Sequence, residues 1–196
     1  MGVRIGVLAL QGNVSEHIGA FERALERTGH SSPASVFPVK RAGEISGCDA
    51  LAIPGGESTT ISRLIEKNQL HDPIRKFRGG IFATCAGMVL VATCVDDPRV
   101  RPIGVIDMTV DRNAFGRQRE SFEADLGMDG LAGGPFHAVF IRAPVATEVG
   151  KGVKVLARID RGIVAVEYGK HMALAFHPEL GDDTRLHERF IQKLGT

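Results

Sequence analysis

The 196-residue sequence predicts an α/β fold of three layers: a mostly parallel central sheet flanked by helices, with antiparallel additions in the second half. Three features predict it. Through the first half, short apolar runs alternate with helix-period segments, the pattern of βαβ units with right-handed crossovers. In the second half, short strand candidates follow one another between turn residues, which suits antiparallel strands joined to the sheet. Between them, Gly79-Gly80-Ile81-Phe82-Ala83-Thr84-Cys85-Ala86-Gly87 leads from an apolar run through small residues into the apolar stretch Met88–Ala92. This describes a strand, a sharp turn and a buried helix, the layout of a nucleophile elbow.

The length suits one domain, 1–196, with a sizeable core. Apolar residues make up 43% and charged residues 24%, with a net charge of +1. That balance gives no reason to expect nucleic acid or an acidic membrane surface as partner. The three cysteines, Cys48, Cys85 and Cys94, form neither a CxxC pair nor a disulfide framework, so a reducing, cytoplasmic setting is expected. The first apolar run is too short for a membrane span, and Gly6 stands where a myristoylation signal needs Ser or Thr.

In chain order, Val3–Leu10 reads as a buried strand ending at Gln11-Gly12-Asn13. The helix behind it takes Asn13 or Ser15 as cap and aligns Ile18, Phe21 and Leu25, leaving His17 exposed in its first turn. After a polar turn at Thr28–Pro33, Ser35–Val39 and Ala50–Ile53 are the next strands. The latter stops at Pro54-Gly55-Gly56-Glu57-Ser58-Thr59, and Ile61, Leu64 and Ile65 then mark an amphipathic helix. Ile81–Ala83 is the strand of the elbow. Val105–Val110, Phe122–Leu126, His137–Ile141, Val153–Ile159, Ile163–Tyr168 and Met172–Phe176 are the later strand candidates. Thr184–Leu194 closes the chain as a helix with Leu186, Phe190, Ile191 and Leu194 on one side. Ligands of such sheets bind beyond the carboxyl ends of the strands. Gln11, Gly55-Gly56 and Cys85 all follow strand ends and therefore converge on one edge.

Four stretches carry chemistry. A cysteine in an apolar run reads equally as inert core, but at a helix N-terminus the unpaired N–H groups and the dipole favour its thiolate. His177-Pro178-Glu179 follows a strand, and an imidazole with a nearby carboxylate supplies a base and its orienter; the plainer reading is a surface histidine beside a solvated acid. Gly55-Gly56 allows a backbone N–H to face a developing oxyanion; a plain turn is the alternative, and a phosphate loop lacks its lysine and spacing here. Arg112 and Arg142 border strands and offer forks for a carboxylate, whereas Arg117 and Arg119 read as snorkelling side chains.

Gly-Gly-Glu-Ser-Thr, Thr-Cys-Ala-Gly and His-Pro-Glu, in this order and at these separations, resemble the class I (triad) glutamine amidotransferases, whose sheet is flavodoxin-like. Leu10-Gln11-Gly12, Glu16-His17, the stretch from Arg112 to Gln118, Ser121-Phe122-Glu123 and Phe140-Ile141-Arg142-Ala143-Pro144 narrow the resemblance to the PdxT/SNO family of glutaminase subunits of pyridoxal 5′-phosphate synthase. It runs from the first strand to the last helix. Two departures stand out: Ala83 where the family commonly has Gly, and a longer, more polar His30–Phe37.

The resemblance implies Cys85 as nucleophile, His177 as general base and acid, and Glu179 as orienter. It implies Gly56 and Ala86 N–H groups as oxyanion donors, and Gly55, Gly56, Glu57, Arg112, Ile141 and Arg142 as the binding positions for L-glutamine. No metal or organic cofactor is implied. The implied partner is a (β/α)₈-barrel synthase receiving ammonia in a hetero-oligomer, with Gln11, His17 and the first helix as the docking face. The competing readings are a glutaminase of another synthase, a DJ-1-like thiol hydrolase or peptidase, and an inactive docking subunit.

Overall fold

A computed structural model describes residues 2–29, 35–115 and 121–195. Part of His30–Phe37 and the positions of Arg117, Gln118 and Arg119 lie outside the described residues. The strands are β1 (Arg4–Leu8), β2 (Ser35–Val39), β3 (Ala50–Ile53), β4 (Gly80–Thr84), β5 (Ala92–Val95), β6 (Ile106–Asp111), β7 (Ser121–Leu126), β8 (Phe136–Ile141), β9 (Val145–Val149), β10 (Lys154–Ile159), β11 (Gly162–Tyr168) and β12 (His171–Leu174). The helices are α1 (Val14–Arg27), α2 (Ala42–Ile45), α3 (Ser58–Lys67), α4 (His71–Arg75), α5 (Ala86–Val91) and α6 (Arg185–Leu194), with a 3₁₀ turn at Pro178–Leu180.

Among the described residues the main sheet runs β2-β1-β3-β4-β12-β11-β9-β6-β5, with β10 paired to β11. The strands from β2 to β12 in that order are mutually parallel. The second half supplies the expected antiparallel additions, β9 with β6 and β11 with β9, β10 and β12, but not only these. β12 inserts parallel to β4, and β5 pairs parallel with β6. β7 and β8 leave the sheet altogether and form their own two-stranded ribbon. The insertion of β12 matters for function, because it brings the end of the chain beside the elbow.

Residues 4–8, 50–53 and 80–84 are nearly all buried, as expected for parallel strands covered on both faces. α1 and α6 pack on one another over β4. Phe82 meets Phe21 and Phe190 edge-on, with ring centroids 5.2 Å apart in each case. Gly80, two residues before Phe82 and hence on the same face, lies under α6: a Cβ there would come within 2.5 Å of Leu194. α5 sits so close to β3 that a Cβ on Gly87 would collide with the Ile53 carbonyl. That contact fixes the helix start behind Cys85.

Candidate active site

The ends of β1, β3, β4 and β12 meet at one edge of the sheet, and the predicted residues gather there. Cys85 follows β4 and is the N-cap of α5, with φ 49° and ψ −108°. Among the described residues three non-glycine residues have positive φ, and two of them, Cys85 and Arg142, line one cleft of about 170 Å³. Strained backbone clusters at sites of function because a packed surrounding has to hold it there.

His177, delivered by β12, turns its Nδ1 to Glu179 Oε1 at 2.8 Å. The same ring also interacts with the Cys85 side chain. Both His177 and Glu179 are buried. Burial alone lowers the pKa of His177, but Cys85 and Glu179 outweigh it and raise the imidazole to about 10. Burial raises Glu179, yet the hydrogen bond from His177 and the charge of that ring bring it down to about 2. The cysteine, histidine and glutamate predicted as a triad are thus together, with an ionised carboxylate behind the ring.

Gly55 packs over this pair: a Cβ would lie 2.5 Å from His177 Cε1 and 3.1 Å from Cys85 Cβ. Gly12 approaches from β1 so closely that a Cβ would strike the Gly55 carbonyl. Within the loop, Gly55 N–H donates to Thr84 Oγ1 at 3.1 Å and Glu57 N–H to Gln11 Oε1 at 3.0 Å. Gly56 N–H, between them, remains without a partner among the described residues, at φ 146°. Ala86, the first residue of α5, has an N–H that no intrahelical bond can take.

Glu57 caps α3. It accepts from Thr59 and Thr60 through their backbone N–H groups and hydroxyls, and from Arg112 Nη2 at 3.2 Å. Burial raises its pKa, but the hydrogen bonds from the two threonines outweigh it and lower the carboxyl to about 2. Arg112 is anchored from behind by Asp97, whereas Arg142 lines the cleft with no partner among the described residues. Ile141 enters through its carbonyl, 3.6 Å from Cys85 Sγ.

Two expectations are corrected. His17 is not an exposed first-turn residue and cannot itself form a docking face: it is fully buried, with Nε2 3.1 Å from Thr84 Oγ1. Asn13 does occupy the N-cap position of α1 but makes no cap bond, its amide turning instead to Glu179 Oε1 at 3.3 Å. Gln11 is exposed, and its side chain is spent on the Gly56-Glu57 peptide. Asp97 and Thr84 are site residues that sequence reasoning assigned no role.

Residues 7–196 match the SNO glutamine amidotransferase family. The chain belongs to that family. It is 67% identical over 193 residues to the pyridoxal 5′-phosphate synthase subunit PdxT of Methanoregula boonei, covering 98% of this chain and 100% of the relative. It is 65% identical over 195 residues to the protein of the same name in Methanosphaerula palustris, covering 100% and 99%. A solved glutamine amidotransferase superposes with a TM-score of 0.85 at 44% identity over 98% of this chain and 99% of its own. A glutamine amidotransferase from Thermotoga maritima shares the fold, at a TM-score of 0.63 and 15% identity, over 100% of this chain and 85% of its own. Membership in this amidotransferase family identifies the chain as a glutaminase subunit, which sets aside the peptidase and DJ-1-like readings. Among the described residues no cluster of three or more His, Cys, Asp or Glu is placed to hold a metal ion, and no helix is long and apolar enough to cross a membrane.

Proposed function

We propose that this chain hydrolyses L-glutamine as the glutaminase subunit of a pyridoxal 5′-phosphate synthase, with Cys85, His177 and Glu179 as its catalytic triad. The observation that carries the reading is His177 between Cys85 and an ionised Glu179, with Cys85 lining a cleft that also holds Glu57, Arg112 and Arg142. That set complements an α-amino acid: the Glu57 carboxylate faces the α-ammonium, and the guanidinium groups face the α-carboxylate. The side-chain carboxamide is then directed at Cys85.

In the first half-reaction the Cys85 thiolate attacks the carboxamide carbon, and the C=O electron pair moves onto oxygen, where Gly56 and Ala86 N–H groups receive it. Each such donor contributes about 3–4 kcal/mol to lowering the barrier. As the oxyanion collapses the C–N bond breaks, the His177 imidazolium protonates the leaving nitrogen, and ammonia departs from a glutamyl thioester. Neutral His177 then takes a proton from water. The water oxygen attacks the thioester carbon, and glutamate leaves as the Cys85 thiolate reforms.

Free ammonia is protonated and diluted in bulk water, which favours direct transfer to a (β/α)₈-barrel synthase in a hetero-oligomer. The site edge, with Gln11 and the exposed start of α1, is the docking face in this reading, and docking orders the Gly55-Gly56 loop. A reducing cytoplasm is the fitting compartment for a reaction that needs a free thiol. The test is reconstitution with the barrel synthase. Cys85→Ala is expected to abolish pyridoxal 5′-phosphate formation from glutamine while leaving formation from ammonia intact. Glutamine-supported synthesis that survives Cys85→Ala overturns the reading.

A further inference from the structure

The first turns of α1 touch both halves of the machinery, and one buried side chain joins them. His17 is fully enclosed between β4 and the 3₁₀ turn carrying Glu179. Its Nε2 lies 3.1 Å from Thr84 Oγ1 and 3.5 Å from Glu179 Oε1. Thr84 Oγ1 in turn accepts the Gly55 N–H at 3.1 Å, and Glu179 Oε1 accepts from His177 Nδ1 at 2.8 Å. A single ring nitrogen therefore stands between the triad carboxylate and the loop that carries Gly56.

The chemistry fixes the tautomer. An ionised carboxylate 3.5 Å from Nε2 would repel a lone pair there, so the proton sits on Nε2 and points toward Thr84 and Glu179. Thr84 Oγ1 has two lone pairs, one for His17 and one for Gly55 N–H. Burial keeps the ring neutral, opposed by Glu179 and Glu16 and reinforced by His177; His187 of α6 also faces this cluster. Neutrality has a consequence. A neutral donor steadies the Glu179 carboxylate without cancelling the charge that His177 needs, whereas a charged one would compete with the imidazolium.

On the glutaminase reading, we infer that His17 is a positioning residue: it holds Glu179 toward His177 and holds Thr84 as the acceptor that seats Gly55. Leucine at 17 keeps the volume and removes the donor, while the Nε2 of glutamine restores a donor in nearly the same place. In the complex with the synthase, His17→Leu is expected to lower kcat about tenfold with KM changed less than about twofold, the behaviour of a lost transition-state interaction. His17→Gln is expected to recover most of kcat. Thr84→Val should lose a similar factor, Thr84→Ser should regain it, and the His17→Leu/Thr84→Val pair should fall well short of the product of the single losses.

A second readout does not need glutamine: the rate of iodoacetamide alkylation at Cys85 as a function of pH, followed on the Cys85 peptide by mass spectrometry. His17→Leu should shift that profile to higher pH and His17→Gln should return it. If the wild-type complex releases no glutamate yet this shift and its rescue occur, the glutaminase reading fails and the role of His17 stands. Equal losses in His17→Leu and His17→Gln, multiplicative effects with Thr84→Val, or an unmoved alkylation profile overturn the inference and leave His17 as packing.

Discussion

Arg112 Nη1 and Asp97 Oδ2 are 2.5 Å apart, and the same guanidinium reaches Glu57 Oε1 at 3.2 Å through Nη2. Two carboxylates therefore already engage Arg112, while Arg142 faces the cleft without one among the described residues. Hydrogen bonds from Arg99 and then Arg112 hold Asp97 well below the usual carboxylate range, so it is ionised near neutral pH. The arrangement divides labour. Arg142 is available to pair with an incoming α-carboxylate, and Arg112 is oriented by Asp97 so that it also keeps Glu57 in place.

This division predicts different responses to substitution. Arg142→Ala is expected to raise KM for glutamine by at least about tenfold with little change in kcat, as the loss of a charge-assisted contact made equally in both states requires. Asp97→Asn leaves Arg112 present but removes the carboxylate that shares it with Glu57, so its charge is committed to Glu57 and screens the α-ammonium site; a smaller rise in KM, about threefold, is expected. Steady-state glutamate release measures both. A fall in kcat without any rise in KM for either variant contradicts these assignments.

The triad also shapes stability against pH. Glu179 is lowered from 4.5 to about 2, so its contribution is complete above about pH 4.5 and is lost as pH falls toward 2. His177 is raised from 6.5 to about 10, so its contribution is complete below about pH 6.5 and is lost as pH rises toward 10. Cys85→Ala removes one of the two groups that raise His177. The alkaline loss in thermal midpoint should then begin at lower pH than in the wild type, with the acid side unchanged. Superimposable alkaline curves would show that Cys85 does not stabilise the imidazolium.

Much of this was legible in the residues themselves. Ser35–Val39 and Ala50–Ile53 have the predicted bounds: the first apolar run gives way to charged Lys40-Arg41, and the second stops at Pro54-Gly55-Gly56. β5 was hidden because Val91 passes to Ala92 with no turn residue, so helix and strand read as one apolar stretch. β9 was hidden because the turn before it uses Arg142 in a left-handed conformation where a glycine would have announced it. His17 was misplaced although the signal was present: with Ala20, Phe21, Ala24 and Leu25 it lies on the buried stripe of α1. Its partners Thr84 and Glu179 are far away in sequence, and only the fold brings them to it. Asp97 has a local partner in Arg99, which reads as an ordinary turn contact, while the partner that ties it to the site, Arg112, stands across a strand pair.

Gly55 offers a sharp steric test. Alanine there would place its Cβ 2.5 Å from His177 Cε1, against a ring held by Glu179 and unable to retreat freely. A displacement near 1 Å at the reacting groups costs on the order of a hundredfold in rate. Gly55→Ala should therefore lose about that factor in kcat while far-ultraviolet circular dichroism remains that of the wild type. Near-normal turnover would mean that the loop moves away from His177 in the active complex.

Glu57 has two tasks that substitution can separate. As the N-cap of α3 it satisfies the Thr59 and Thr60 N–H groups, and as a cleft residue it is the proposed partner of the α-ammonium. Glu57→Ala removes both, and the lost cap should cost about 1 kcal/mol of stability. In a chain of this size that corresponds to a fall of roughly 2–4 °C in Tm. Asparagine is a good N-cap but is uncharged and shorter, so Glu57→Asn should restore most of the Tm while KM for glutamine stays at least about tenfold above the wild type. Calorimetry and glutamate release on the same two proteins decide the matter. A KM that recovers together with Tm in Glu57→Asn would reduce Glu57 to a helix cap and leave the α-ammonium without its proposed partner.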